Sequence, residues 1–109
     1  MKEKILENKC ALVTGSSKGI GAEMARGLAR EGAHVVVNYK NDRDGADATC
    51  KSILDQGGQA VSIQGDVSSA VGAKNLISKV CDQFGCIDIL VNNAARTRFG
   101  PALEVTDED

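Results

Sequence analysis

Three glycines fall within seven positions of the stretch Thr14-Gly15-Ser16-Ser17-Lys18-Gly19-Ile20-Gly21. The stretch follows an apolar run, Cys10-Ala11-Leu12-Val13, and opens a segment of helical periodicity. A chain that passes at once from strand to helix presents backbone N–H groups without intrahelical partners, at the positive end of the helix dipole. Such an end attracts anions. Glycine serves three purposes there: Gly15 permits the turn, Gly19 lets a pyrophosphate approach the backbone, and Gly21 allows close helix packing. The spacing G-x-x-x-G-x-G differs from the common G-x-G-x-x-G, and Lys18 precedes the second glycine, unlike the lysine of the nucleoside triphosphatase loop. We read the loop as a cradle for a dinucleotide pyrophosphate.

Other chemistries find little support. Cys10, Cys50, Cys81 and Cys86 form neither a C-x-x-C pair nor a metal spacing with His34, the single histidine, and are expected to be reduced structural thiols. A nucleophilic triad would have to use His34, which opens a strand pattern with nothing beside it to suggest one. Tyr39, the only tyrosine, is followed four residues on by Arg43 rather than lysine. Asp66 stands before Ser68, where it is either a ligand-facing acid or a turn residue. Arg96, Thr97, Arg98 and Phe99 are read equally as substrate-side or exposed loop residues.

These residues need a scaffold, and the hydrophobic pattern supplies one. Apolar or β-branched runs at 10–13, 34–38, 60–64 and 87–91 read as strands, the first, second and fourth apolar enough for burial on both faces. Between them, Ile20, Met24 and Leu28 recur at intervals of four beside Ala25 and Ala29, and Gly32 suits a helix end. A second helix is expected over Ala46–Leu54, closed by Gly57-Gly58. A third is capped by Ser68 or Ser69, carries a stripe of Leu76, Ile77, Val80, Cys81 and Phe84, and stops at Gly85. The order β-α-β-α-β-α-β predicts an α/β doubly wound parallel sheet, incomplete at four strands and three helices. The third helix would cover one face almost alone, leaving an apolar patch near the first and fourth strands. Thr106-Asp107-Glu108-Asp109 reads as the start of a further helix.

Composition agrees with a globular domain. The 109 residues are 42% hydrophobic and 26% charged, too apolar for a disordered chain. A net charge of −2 argues against nucleic acid or an anionic membrane as partner. No apolar run is long enough for a membrane helix, and the N-terminal residues lack a secretory pattern. A cytoplasmic protein is expected.

Thr14-Gly15-x-x-x-Gly19-x-Gly21, Asp66-Val67 after the third strand and Asn92-Asn93-Ala94-Ala95 after the fourth together resemble the short-chain dehydrogenase/reductase family, over about residues 9–109. The texture at 14–21 and at Val35–Tyr39 is similar to the 3-oxoacyl-acyl-carrier-protein reductases and related sugar dehydrogenases. The resemblance implies a Rossmann-type fold, with residues 1–109 as the N-terminal part of a single NAD(P)-binding domain. It implies cofactor contacts from Thr14, Gly15, Ser17, Lys18, Gly19, Ile20 and Gly21, and from Asp66, Val67, Asn92 and Ala94. Asp66 would accept from the adenine amino group and Val67 would serve the ring edge. Asn92 would tie neighbouring strands, and Ala94 would leave room for the ribose. Ala95 replaces a glycine usual in the family.

An acid at the end of the second strand holds the ribose 2′-hydroxyl in NAD-preferring sites. Here Tyr39 and Lys40 stand there, with Lys18 and Arg43 nearby, which favours NADP(H) over NAD(H). Asp42 and Asp44 are expected to cap the next helix. The resemblance further implies hydride transfer with a small-molecule carbonyl or alcohol, through a serine, a tyrosine and a lysine expected beyond Asp109. The short chain by itself is then expected to be inactive, and a full-length protein to be a homo-oligomer. A non-catalytic dinucleotide-binding module and a non-functional truncation are the alternatives.

Overall fold

Strand β1 (Cys10–Val13) runs directly into the glycine loop and helix α1 (Gly19–Arg30). There follow β2 (His34–Tyr39), α2 (Arg43–Asp55), β3 (Gln59–Gln64), α3 (Ala70–Phe84) and β4 (Ile89–Val91). The structure is a computed structural model and describes residues 4–93. All strand pairings are parallel, in the order β3-β2-β1-β4. The chain therefore moves outward from β1 to β3, then returns through α3 to place β4 on the other side of β1. That reversal leaves a crevice above the carboxyl ends of β1 and β4, where ligands bind in open α/β sheets.

Alternation along the strands divides the core into two layers. Ala11, Val13, Val35 and Val37 face α1 and α2, where they meet Ala25, Ala29, Ala46, Cys50 and Ile53. Cys10, Leu12 and Val36 face the other way, against Leu76 and Val80 of α3. β1 is buried along its whole length and β2 at all but its ends, as expected for central strands of a parallel sheet.

Four sequence expectations shift. Of the row Ile20, Met24 and Leu28, only Leu28 packs against the core. The buried residues of α1 are Gly21, Ala22, Ala25 and Ala29, whereas Ile20 is 69% and Met24 42% exposed. Small residues let the helix backbone approach the sheet closely, so the larger side chains of Ile20 and Met24 turn outward. The second helix begins at Arg43 rather than Ala46, because Asp42 caps it: its Oδ1 accepts from Gly45 N at 3.0 Å. The fourth strand begins at Ile89 rather than Ile87, since Asp88 Oδ2 accepts from Cys10 N at 2.8 Å where a strand residue would use its main chain. Nor is β4 buried on both faces, for Leu90 is 54% exposed. Ile77 of α3, on the same side of the sheet, is exposed too. The expected features at Ala94, Ala95, Arg96–Phe99 and Thr106–Asp109 lie outside the described residues.

Candidate functional site

The carboxyl ends of β2 and β4 flank the glycine loop that follows β1. Gly15 (φ +61°) and Gly19 (φ +65°) both occupy the left-handed region, which L side chains rarely adopt. A Cβ on Gly19 would meet nothing within 4 Å, so the loop is open in front of it. A Cβ on Gly21 would lie 2.5 Å from Gly15 O and 2.6 Å from Asn93 Nδ2, so this glycine lets α1 close onto the loop. Gly21 packs on the loop rather than on the strand.

The three helices begin differently. Asp42 caps α2 through Gly45 N, and Ser69 caps α3 through Gly72 N at 3.0 Å. Helix α1 has no side-chain cap: Lys18 occupies the cap position without bonding, and the first turn holds no acid. Its first intrahelical bond is the long Ala22 N–H to Lys18 O, at 3.4 Å. The N–H groups of Gly19, Ile20 and Gly21 precede that bond, and the space in front of Gly19 is open. An uncapped helix start with open space before a positive-φ glycine fits an anionic group.

The loop is held rigidly from behind. Ser16 is fully buried; its Oγ donates to Val13 O at 2.7 Å and accepts from Asn38 N at 3.1 Å. Thr49 of α2 donates its hydroxyl to Ser17 O at 3.2 Å, and Asn93 Nδ2 donates to Gly15 O at 3.0 Å. Thr14 N donates to Val91 O, and Thr14 Oγ1 donates to Asn92 Oδ1 at 3.3 Å, which ties β1 to β4. Asn38, Ser16 and Thr49 were not singled out from the sequence. The available signal was a lone amide closing an otherwise apolar run, Val35-Val36-Val37-Asn38.

Charge gathers beside the end of β2. Tyr39 is half-buried there, and Lys40 is exposed, its Nζ 3.6 Å from Asp66 Oδ2. Arg43 Nε lies 4.0 Å from Asp47, and Lys18 is exposed. Asp66 Oδ1 accepts from Ser68 N at 2.9 Å and from Ser68 Oγ at 2.6 Å. These bonds first, and Lys40 second, hold the Asp66 carboxyl below its ordinary range. Asp66 is thus a turn residue, and its Oδ2 remains directed toward Lys40. Val67 borders an apolar groove of about 110 Å³ that also touches Leu12, Leu76, Leu90 and Asn92. A larger cavity, about 360 Å³, lies at the opposite end of the strands beside Lys9, His34 and Phe84. Among the described residues no cluster of His, Cys, Asp and Glu could hold a metal, and no helix is long and apolar enough to cross a membrane.

Parallel strands in this order, with a glycine loop between the first strand and first helix, define a Rossmann-type α/β domain. Within that class the chain belongs to the short-chain dehydrogenase family, whose family model matches residues 9–109. It is 50% identical over 103 residues to an uncharacterized oxidoreductase of Methylorubrum extorquens, covering 94% of this chain and 42% of that one. It is 40% identical over 102 residues to a 3-oxoacyl-[acyl-carrier-protein] reductase of Staphylococcus epidermidis, again covering 94% and 42%. Among solved structures, a short chain dehydrogenase from Burkholderia cenocepacia in complex with NADP superposes with a TM-score of 0.77 at 43% identity, over 87% of this chain and 39% of that one. The chain spans about two fifths of the length of the curated relatives it matches.

Proposed function

We propose that residues 1–109 are the N-terminal, cofactor-binding part of an NADP(H)-dependent oxidoreductase that interconverts a small carbonyl compound and its alcohol. The observation that carries this reading is the contrast among the helix starts: α2 and α3 are capped by their own side chains, whereas α1 leaves its first N–H groups to a ligand. Thr14, Gly15, Ser17, Lys18, Gly19, Ile20 and Gly21 would hold the pyrophosphate. Val67, Asn92 and Ala94 would border the adenosine, and Asp66 Oδ2 would accept from the adenine amino group. The dinucleotide supplies the hydride when bound; this chain fixes its position and keeps charge matched along it.

Tyr39 and Lys40, with Lys18 and Arg43, support the phosphorylated cofactor, because the end of β2 carries no acid and cations stand there, on the glycine loop and at the start of α2. The 3-oxoacyl thioesters are the substrate class best supported, through the resemblance at the loop and at Val35–Tyr39; a sugar is the competing class. Titration of the full chain with NADPH and NADH tests the first part. NADPH is expected to bind about tenfold tighter or more, what one charge-assisted hydrogen bond supplies. Gly19→Glu, which brings a carboxylate into the anion site, is expected to abolish binding, and unchanged affinity refutes the site. Hydride transfer to an acetoacetyl thioester, against oxidation of glucose, separates the substrate classes in a protein that carries the expected serine, tyrosine and lysine.

A further inference from the structure

We propose that Asn38 is the positioning residue that joins the pyrophosphate loop to the turn carrying Asp66, so that the two ends of the cofactor are read in one register. The inference rests on the dinucleotide reading above. Asn38 is only 2% exposed, at the end of a strand whose other core positions are valine. Its Oδ1 accepts from Gly15 N at 3.1 Å. Its Nδ2 faces three carbonyls: Ile63 O and Gly65 O at 3.2 Å, and Tyr39 O at 3.4 Å. Its main-chain oxygen also accepts from Ser16 N at 2.9 Å.

One side chain thereby spans the ends of three elements: the glycine loop after β1, the end of β2, and the β3–α3 turn in which Gly65 precedes Asp66. Gly65 completes the arrangement, since a Cβ there would press on Leu76 at 3.2 Å and lie 3.5 Å from Asn38 Nδ2. The chemistry selects asparagine. Gly15 N requires an acceptor and the facing carbonyls require donors, at opposite ends of one short planar group. Aspartate would offer only acceptors, leucine neither, and a buried amide costs free energy unless satisfied on both sides. A displacement of Gly15 by pyrophosphate is passed through this amide to Gly65 and so to Asp66 and Lys40.

The test uses the full chain, titrated with NADP+ by calorimetry at about pH 8.5 and pH 5.5, with far-UV circular dichroism showing each protein folded. Asn38→Asp retains the acceptor for Gly15 N but sets a carboxylate against carbonyls. In acid the introduced carboxyl, its pKa raised by burial, regains a proton and one donor. Relative to wild type at the same pH, affinity is expected to be at least about tenfold weaker at pH 8.5 and to recover severalfold at pH 5.5. A residue that merely supports the fold would lower the melting temperature without this pH-dependent ratio. Affinity within about twofold of wild type at both pH values overturns the proposal. Should the variant fail to fold, wild-type protein labelled with ¹⁵N is titrated with inorganic pyrophosphate, which reaches the glycine loop alone. The Asn38 side-chain amide and the Gly65 N–H are expected to shift, and their silence while Gly15 and Gly19 respond overturns the role. A wild type that binds neither NADP+ nor NAD+ refutes the dinucleotide reading and this role with it, so the two failures are distinguished.

Discussion

Adding one methyl group at Gly21 and one at Gly19 should have different consequences, although only Ile20 separates the two glycines. In Gly21→Ala the new carbon would stand 2.5 Å from Gly15 O and 2.9 Å from Ser16 Cα, both main-chain atoms. Ordinary contact needs about 3.5 Å, so helix and loop must part by about 1 Å. The loop yields poorly, because Asn38, Thr49 and Asn93 hold it from three sides. Overpacking of this kind costs about 3 kcal/mol, and the better helix propensity of alanine returns about 1 kcal/mol. The net loss of about 2 kcal/mol corresponds to a melting temperature lower by about 10 °C for a domain of this size. In Gly19→Ala the methyl meets nothing, and only the left-handed backbone is penalised, by about 1 kcal/mol or 5 °C. Its larger effect falls on ligand affinity, since the methyl occupies the space a pyrophosphate would use. Thermal denaturation followed by circular dichroism, paired with NADPH titration, reads both quantities. A Gly21→Ala protein melting within about 2 °C of wild type, or below which Gly19→Ala melts, refutes the packing argument.

Three further outcomes follow from the same coordinates. Burial first, and Asp47 second, push the Cys50 thiol up to about 11, and Cys10 is raised by burial as well, while Cys86 is exposed. Ellman's reagent at pH 8 should therefore label Cys86 first and Cys50 only in denaturant; rapid native labelling of Cys50 contradicts its burial. The folded Asp66 carboxyl titrates below its ordinary value of 3.8, so its contribution to stability is present above that pH and is lost as pH falls through the lower folded value. The melting-temperature gap between wild type and Asp66→Asn should then be constant from about pH 8 to pH 5 and shrink in stronger acid; a gap that widens there reverses the sign. Leu76→Ala, at a fully buried site beneath α3, should cost about 2–5 kcal/mol in urea denaturation, and Leu90→Ala, more than half exposed, less than about 1 kcal/mol. Equal losses would place Leu90 in the core.

The elements that sequence made legible are those announced by local chemistry. β1 is bounded by its apolar run and the glycine that ends it, and α3 by the pair Ser68-Ser69, of which the structure uses Ser69, and by Gly85 (φ +92°). The glycine loop was legible because each glycine answers a separate steric demand. Less legible were the choices that packing makes. Two rows on α1 have helical spacing, and only the sheet decides that the alanine row approaches while Ile20 and Met24 turn out. Asn38 was hidden for a related reason: apart from the adjacent Tyr39 O, the partners of its side chain lie 23 to 27 residues away. Asp66 has one oxygen on Ser68 and the other 3.6 Å from Lys40, a partner that no local spacing announces.

The position of β4 has a consequence for how the molecule assembles. β1 pairs with β2 across a short separation, Ala11 opposite Val35, but with β4 across a long one, Ala11 opposite Ile89. Loop-closure entropy grows logarithmically with separation, so the second pairing costs about 1 kcal/mol more to close. It also brings only three residues into register. The β1–β2–β3 ladder is therefore expected to form early and β4 to dock last, which pulsed hydrogen exchange would detect as later protection at Thr14 than at Val36. The ligand crevice is created by that final docking. On a ribosome, the half of the site built from Gly15, Ser16 and Asn38 would already stand while the half built from Asn92 and Asn93 was still to emerge.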